Sequence, residues 1–149
     1  MSLEAWLEGL IKGKDEPLTV PKDKMMLNGL YIGDAIKSHI DWRENWFVAV
    51  LERRVGDYEF TKVTADNLCN VGQWIYSLGK KYEGMPEYEL LKQKHAEFHM
   101  CAGKAVKLHK EGSLVNAMAT AKGPLLDLSQ EIGLSFIKLL KAAQEKGAA

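Results

Sequence analysis

The stretch "PEYELLKQKHAEFHMCAGKAVKLHKE", residues 86–111, decides the fold because it has the pattern of one long amphipathic helix. Pro86 suits the first turn of a helix, where its missing N–H is not needed, and Gly112 follows as a C-terminal stop. Residues at spacings of three and four form the inward face, namely Leu91, His95, His99, Ala102 and Val106. The stretch therefore predicts a core helix that points two imidazoles inward, one turn apart.

The segments on both sides of this helix continue the helical pattern, with short loops between them. The predicted helices cover about residues 28–54, 64–80, 86–111 and 113–146, with Thr64 or Asp66 as the cap of the second. Pro124 should kink or restart the last of them. We predict an all-α fold, an antiparallel four-helix bundle with an additional short N-terminal helix.

The N-terminal part of the chain is predicted to be separate from the bundle. Pro17 and Pro21 lie in a charged stretch that follows a short amphipathic helix at residues 3–12. We therefore divide the chain into an N-terminal segment, residues 1–27, and the bundle, residues 28–146. We expect the short helix to dock loosely or on a partner.

Composition excludes several classes of protein. With 149 residues, 46% of them hydrophobic, the chain can bury the core of one globular domain. Twenty basic residues balance twenty acidic ones, so we expect no nucleic-acid partner. The longest apolar run, "WFVAVL" at residues 46–51, is far shorter than the roughly 20 residues of a membrane span. Without a signal-peptide pattern we expect a cytoplasmic protein, in which Cys69 and Cys101 are reduced or metal-bound.

Three histidines interrupt the inward faces of two predicted helices. His39 lies on the inward face of the first helix, and His95 and His99 lie on that of the third. A polar group left unpaired in a core costs roughly 1–3 kcal/mol, so these imidazoles need a shared partner. Cys69 in "LCNVGQW", with Gly72 leaving room one turn later, adds a thiolate. Three neutral imidazoles and one thiolate form a closed tetrahedral set that favours zinc.

The positions of these four residues along the helix axes support a shared metal site only in part. Antiparallel packing brings Cys69 level with His95 and His99 at a rise of about 1.5 Å per residue. His39 fits less well, because residues 55–63 would have to run back along the bundle. A lone inward histidine can also be a satisfied core residue, and Cys69 alone can be a small buried hydrophobe.

Other candidate ligands are excluded by geometry. Cys101 lies about 200° around the helix from His99, and His109 lies about 15 Å further along the axis. We interpret Trp42 and Trp74 first as packing residues that wall the site from water.

The motifs "SHIDW", "LCNVGQW" and "HAEFH", in this order and at these separations, resemble the chemoreceptor zinc-binding (CZB) domain family over about residues 28–145. The resemblance implies a four-helix bundle that holds one zinc ion by His39, Cys69, His95 and His99. Such domains are attached to soluble chemoreceptors or diguanylate cyclases, and zinc binding or oxidation of the cysteine, for instance by hypochlorous acid, changes their output. Many pair as dimers, so we expect a homodimer and a chemotaxis or diguanylate cyclase partner. No signalling region is recognisable after residue 146, so we expect a stand-alone version or a fragment.

Cys69 is the expected responsive ligand, because a zinc-bound thiolate is also an oxidisable nucleophile. A structural zinc in a protein-interaction module is the alternative. A zinc enzyme would need an open coordination position, and a binuclear iron site would need repeated Glu-x-x-His pairs, which are missing. We therefore expect a protein that is not an enzyme.

Overall fold

The computed structural model describes residues 2–149, which are mostly helical. Over these residues the α-helices are α1 (Leu3–Ile11), α2 (Ile32–Leu51), α3 (Phe60–Val63), α4 (Asn70–Ile75), α5 (Pro86–Lys110), α6 (Leu114–Lys122) and α7 (Pro124–Glu145). A two-stranded antiparallel hairpin, β1 (Met26–Leu27) and β2 (Leu30–Tyr31), precedes α2. Short 3-10 turns occupy Lys22–Met25, Val55–Asp57 and Leu78–Tyr82. The helical class is confirmed, and the antiparallel four-helix arrangement stays a prediction.

Helix α5 packs against α3, α6 and α7. It begins at Pro86, and Gly112, with φ of 85°, follows its end, as the sequence predicts. Ring contacts join His39 to His95 and Trp46 to His109, so α2 and α5 run in the same direction along their shared interface. This parallel alignment sets the histidines of the two helices side by side.

The predicted second helix is wrong in extent. Only Asn70–Ile75 is α-helical, and neither Thr64 nor Asp66 caps it. Cys69 has extended backbone angles and occupies the N-cap, where its Sγ accepts the Gly72 N–H. The chain before it forms a separate short helix, α3, and a turn, because the loop folds back over the start of α4. The predicted positions along the helix axes were therefore calculated as if Cys69 lay within a helix, whereas it lies just before one.

The predicted first helix begins too early. Asn28 and Gly29 have φ of 40° and 89° and form the two-residue turn of the hairpin, so α2 begins only at Ile32. An Asn-Gly pair between apolar residues is a strong hairpin signal, which the helical spacing around it obscured. The Trp74 indole donates to the Asn28 carbonyl at 3.1 Å and ties the hairpin to α4.

Pro124 restarts the last predicted helix rather than bending it. Helix α6 ends at Lys122 and α7 begins at Pro124, with Gly123 between them. Proline cannot donate the N–H that a continuous helix would need at this position.

Helix α1 belongs to the same core as the other helices, so the expected loose docking is wrong. Trp6, Leu7 and Leu10 are buried. A Cβ at Gly133 of α7 would lie 2.6 Å from Leu7 Cδ1, which shows how closely the two helices approach. Within residues 2–149, none of the helices combines the length and the apolar character that crossing a bilayer requires.

Candidate metal centre

Four side chains from three parts of the chain converge beside the middle of α5. His39 comes from α2, His95 and His99 come from α5, and Cys69 precedes α4. One potential ligand atom of each lies within 4.8 Å of all the others. The structure therefore brings together all four site residues predicted from the sequence, in a group positioned to bind a metal ion.

The spacing of the donor atoms fits a small tetrahedral cation. Cys69 Sγ lies 3.2 Å from His95 Nε2 and 3.5 Å from His99 Nε2, and the two Nε2 atoms are 3.2 Å apart. Ligands held by bonds of about 2.0–2.3 Å around a tetrahedral ion lie about 3.3–3.6 Å from one another. The separations among these three donor atoms thus suit a small tetrahedral cation, and the ligand atom of His39 lies within 4.8 Å of each of them.

Backbone carbonyls fix the orientation of two of the rings. His39 Nδ1 lies 2.9 Å from the Ala35 carbonyl oxygen, and His99 Nδ1 lies 2.9 Å from that of Val63. A carbonyl only accepts, so each Nδ1 carries the proton and donates it, which leaves each Nε2 as a bare acceptor in the neutral ring. Such acceptors need a proton donor or a cation between them, and one metal ion would satisfy both of them together with the sulfur. The hydrogen bonding therefore also fits a metal.

His95 has no such anchor. Its ring is fully buried, and among the residues that the structure describes none accepts a hydrogen bond from its Nδ1. The rings of His39 and His99 pack against it edge to face, with centroids 5.0 Å and 4.6 Å away. Its Nε2 lies 3.2 Å from both Cys69 Sγ and His99 Nε2, so the position of His95 depends on the other members of the group.

The close approach of the preceding loop explains why a glycine, Gly72, follows Cys69 by three residues. A Cβ at Gly72 would lie 1.8 Å from the Asp66 carbonyl oxygen, far inside any permitted contact. The Gly72 N–H also donates to Cys69 Sγ at 3.3 Å. A larger residue at this position would push away the loop that carries the thiol, so the glycine serves the geometry of the group.

Burial is the largest influence on the protonation of the group. It lowers the pKa of His39 to about 4 and the pKa of His95 to about 2, and it also lowers the pKa of His99. All three rings are therefore neutral near neutral pH, which is the form that binds metals. Burial raises the pKa of the Cys69 thiol, whereas a bound cation favours the thiolate.

The aromatic surroundings differ in part from the prediction. Phe98, which the sequence did not single out, packs edge to face on His39 with centroids 5.0 Å apart, and Trp42 packs on Phe98 in turn. Trp42 thus lies beside the site as expected. The aromatic neighbours of Trp74 are Tyr82 and Phe136, so Trp74 supports the core and the hairpin instead.

Cys101 and His109 lie outside the group, in agreement with the sequence argument. Both cysteines are free thiols. The Val63 carbonyl, which orients His99, was not predicted, because a backbone acceptor has no signature in side-chain identity.

Comparison of the chain with protein-family models, with curated proteins and with solved structures gave no match. The resemblance to CZB domains consequently rests on the three sequence motifs.

Proposed function

We propose that the chain is a zinc-binding sensory domain of the CZB type in which Cys69 is the ligand that responds to oxidants or to zinc availability. Three imidazoles and one soft thiolate suit zinc better than magnesium, calcium or manganese, which prefer oxygen ligands. A bound zinc ion would supply the positive charge that keeps Cys69 as a thiolate. The four-residue group supports the metal, and the segment that carries Cys69 supports the sensing role.

The observation that carries the proposal is the weak anchoring of residues 52–69, which we call the strap. The structure describes all of these residues, and none of them is buried. Among their contacts with α5, the Val63 carbonyl accepts from His99, the Tyr58 carbonyl accepts from Lys110, and Cys69 joins the histidine group. A segment with so little apolar burial depends on such polar ties.

A change at the Cys69 sulfur would act first on the strap. Oxidation to sulfenic acid, or loss of zinc to a competing chelator, removes the tie at Cys69. The three histidines are anchors on α2 and α5, so these two helices keep their packing while the strap loosens. A partner that contacts the strap would sense the difference.

The resemblance extends the proposal to a cytoplasmic homodimer, built on a four-helix bundle, that signals to a chemotaxis or diguanylate cyclase partner. We propose that the domain is not an enzyme. Four protein ligands would fill a tetrahedral zinc ion and leave no position for a substrate.

A structural zinc in a protein-interaction module is the competing function. The near-complete burial of His39 and His95, which are 5% and 0% exposed, favours it because buried ligands release a metal slowly. The two functions differ in whether Cys69 reacts while the domain stays folded.

The test compares Cys69→Ala with Cys101→Ala, a matched removal of the other free thiol. We expect Cys69→Ala to lose zinc by elemental analysis and to lose any response to peroxide or hypochlorous acid. Hydrogen exchange of the zinc-loaded wild-type chain should rise in residues 52–69 after oxidant treatment, and Cys101→Ala should behave like wild type. A zinc-loaded chain whose strap exchange and zinc content stay unchanged by oxidants until unfolding would establish the structural role instead.

A further inference from the structure

A surface pocket of about 340 Å³ includes Cys69 and His99 in its lining. Trp42, Tyr58 and Leu68 line it with apolar groups, and Asp57, Glu59 and Lys62 line it with charged ones. Its volume is within the range of about 300–1,000 Å³ that is typical of small-molecule sites. Cys69 thus borders a shallow, open pocket that is large enough for a small molecule.

The walls of this Cys69 pocket offer mostly carbon atoms to a ligand. Trp42, Tyr58 and Leu68 contribute two aromatic rings and an isobutyl group. The carbonyls of Val63 and Tyr58 already accept from His99 and Lys110. Few polar groups remain to hydrate or orient a polar molecule, so the walls favour an apolar group.

The charged lining residues disfavour anions. Lys62 pairs with Glu59 at 3.5 Å, which leaves the carboxylate of Asp57 without an ion pair among the described residues. Two carboxylates and one ammonium group give the lining a net charge of −1. The one ammonium group of the lining is paired with Glu59, so the lining supplies no free cation to hold an anionic oxidant, and an uncharged one needs none.

We propose that the Cys69 pocket selects uncharged organic hydroperoxides, with the apolar group on Trp42, Tyr58 and Leu68 and the peroxide directed at Cys69 Sγ. The inference rests on the proposed function of Cys69 as the responsive ligand, and it names the class of oxidant that this function serves.

The reaction balances with the hydroperoxide as the only oxidant. The thiolate sulfur of Cys69 attacks the hydroxyl-bearing oxygen of ROOH, an S–O bond forms, and the O–O bond breaks. The sulfur is oxidised by two electrons to sulfenic acid and the peroxide is reduced. The leaving alkoxide takes a proton from solvent to become the alcohol ROH.

The test measures rate constants for sulfenic acid formation at Cys69 in the zinc-loaded full chain, with cumene hydroperoxide and with hydrogen peroxide. A dimedone adduct on Cys69, detected by mass spectrometry, is the readout, and zinc release is followed in parallel. The ratio of the cumene to the hydrogen peroxide rate constant should exceed that of N-acetylcysteine. The Leu68→Gln variant should lower this ratio about threefold, because it removes apolar contact with the ligand.

The matched control is Leu51→Gln, which changes another exposed leucine outside the pocket. Leu68 and Leu51 are 55% and 81% exposed, so neither change disturbs the core. The control should leave the ratio at the wild-type value. Two results would overturn the pocket inference and leave the sensor proposal standing. One is a rate-constant ratio for Cys69 no higher than that of N-acetylcysteine, and the other is a ratio that Leu68→Gln leaves unaltered. Absence of Cys69 oxidation by either peroxide would also overturn the pocket inference, and the sensor proposal would fall with it if hypochlorous acid and a competing chelator likewise left the strap unchanged.

Discussion

Helix α7 buries ten of its 22 residues, whereas the strap, which is of similar length, buries none. Apolar area removed from water contributes about 25 cal/mol per Å², so α7 is held by a large and non-directional force. The strap depends instead on partial packing of Tyr58 and Val63 against the core and on a few directional ties at Val63, Tyr58 and Cys69. The comparison indicates where chemistry can act: a reaction at one sulfur can release the strap but cannot move α7.

The largest expected effect is on the free energy of unfolding, and it comes from comparing one phenylalanine of α7 with one of the strap. Phe136 of α7 is fully buried, while Phe60 of the strap is 40% exposed. Phe136→Ala should lower the free energy of unfolding by about 3–5 kcal/mol, because it removes buried area and leaves a cavity. Phe60→Ala should lower it by about 1 kcal/mol or less. Urea unfolding of both variants measures the two values, and equal losses would contradict the comparison.

The next effect is a loss of stability of the metal-free protein as the pH falls. Burial lowers the pKa of His39 to about 4, below the value of about 6.5 in an unfolded chain. Between these pH values the unfolded state binds more protons, so stability falls as pH falls from about 6.5 toward about 4, by about 3 kcal/mol for this ring. Urea unfolding across this range should show the decrease.

The control for the pH effect is a pair of variants. His39→Asn should reduce the pH dependence of the metal-free protein without abolishing it, because burial also lowers the pKa of His95 and of His99. His109→Asn, which changes a histidine outside the group, should retain it in full. A pH dependence in His39→Asn as steep as in the wild type would assign the acid sensitivity to other residues.

The smallest effect probes the contact between the strap and α5. A Cβ at Gly103 would lie 2.1 Å from Thr64 Cγ2, and the Thr64 hydroxyl is held by the Phe60 carbonyl at 2.8 Å. Gly103→Ala should therefore displace the strap, disturb the bond between Val63 and His99 and weaken zinc binding about tenfold. Competition with a chromophoric chelator measures the affinity.

A second substitution tests whether Gly103→Ala weakens zinc binding through the strap. Adding Thr64→Ser to Gly103→Ala removes the clashing methyl group and keeps the hydroxyl, so zinc affinity should recover. A double variant that binds zinc as weakly as Gly103→Ala would show that the alanine acts within α5 rather than through the strap.

The parts of the structure that the sequence predicted are those with local signals. Pro86, Gly112 and the spacing of apolar residues predict α5 almost to the residue. Three of the four candidate ligands were predicted because imidazoles on inward helical faces are unusual and need partners, and Cys69 because a thiol followed by Gly72 completes the set. In both cases residue identity alone carries the physical reason.

The parts that were missed depend on tertiary contacts. The N-cap position of Cys69 follows from the loop that crosses Gly72 at the Asp66 carbonyl, and this approach leaves no periodic pattern in the sequence. Phe98 looks like any core residue until its packing on His39 is seen. The docking of α1 depends on Gly133 of α7, which lies more than a hundred residues away.

The place of Cys69 at the N-cap links sulfur chemistry to the helix–coil equilibrium. Helix α4 has six residues, too few to persist in water by backbone hydrogen bonding alone. The Cys69 sulfur that faces the histidines also accepts a hydrogen bond from the Gly72 N–H in the first turn of α4. Trp74, near the other end of α4, holds the Asn28 turn through its indole N–H. Fraying of α4 would therefore be transmitted through Trp74 to the turn of the β-hairpin.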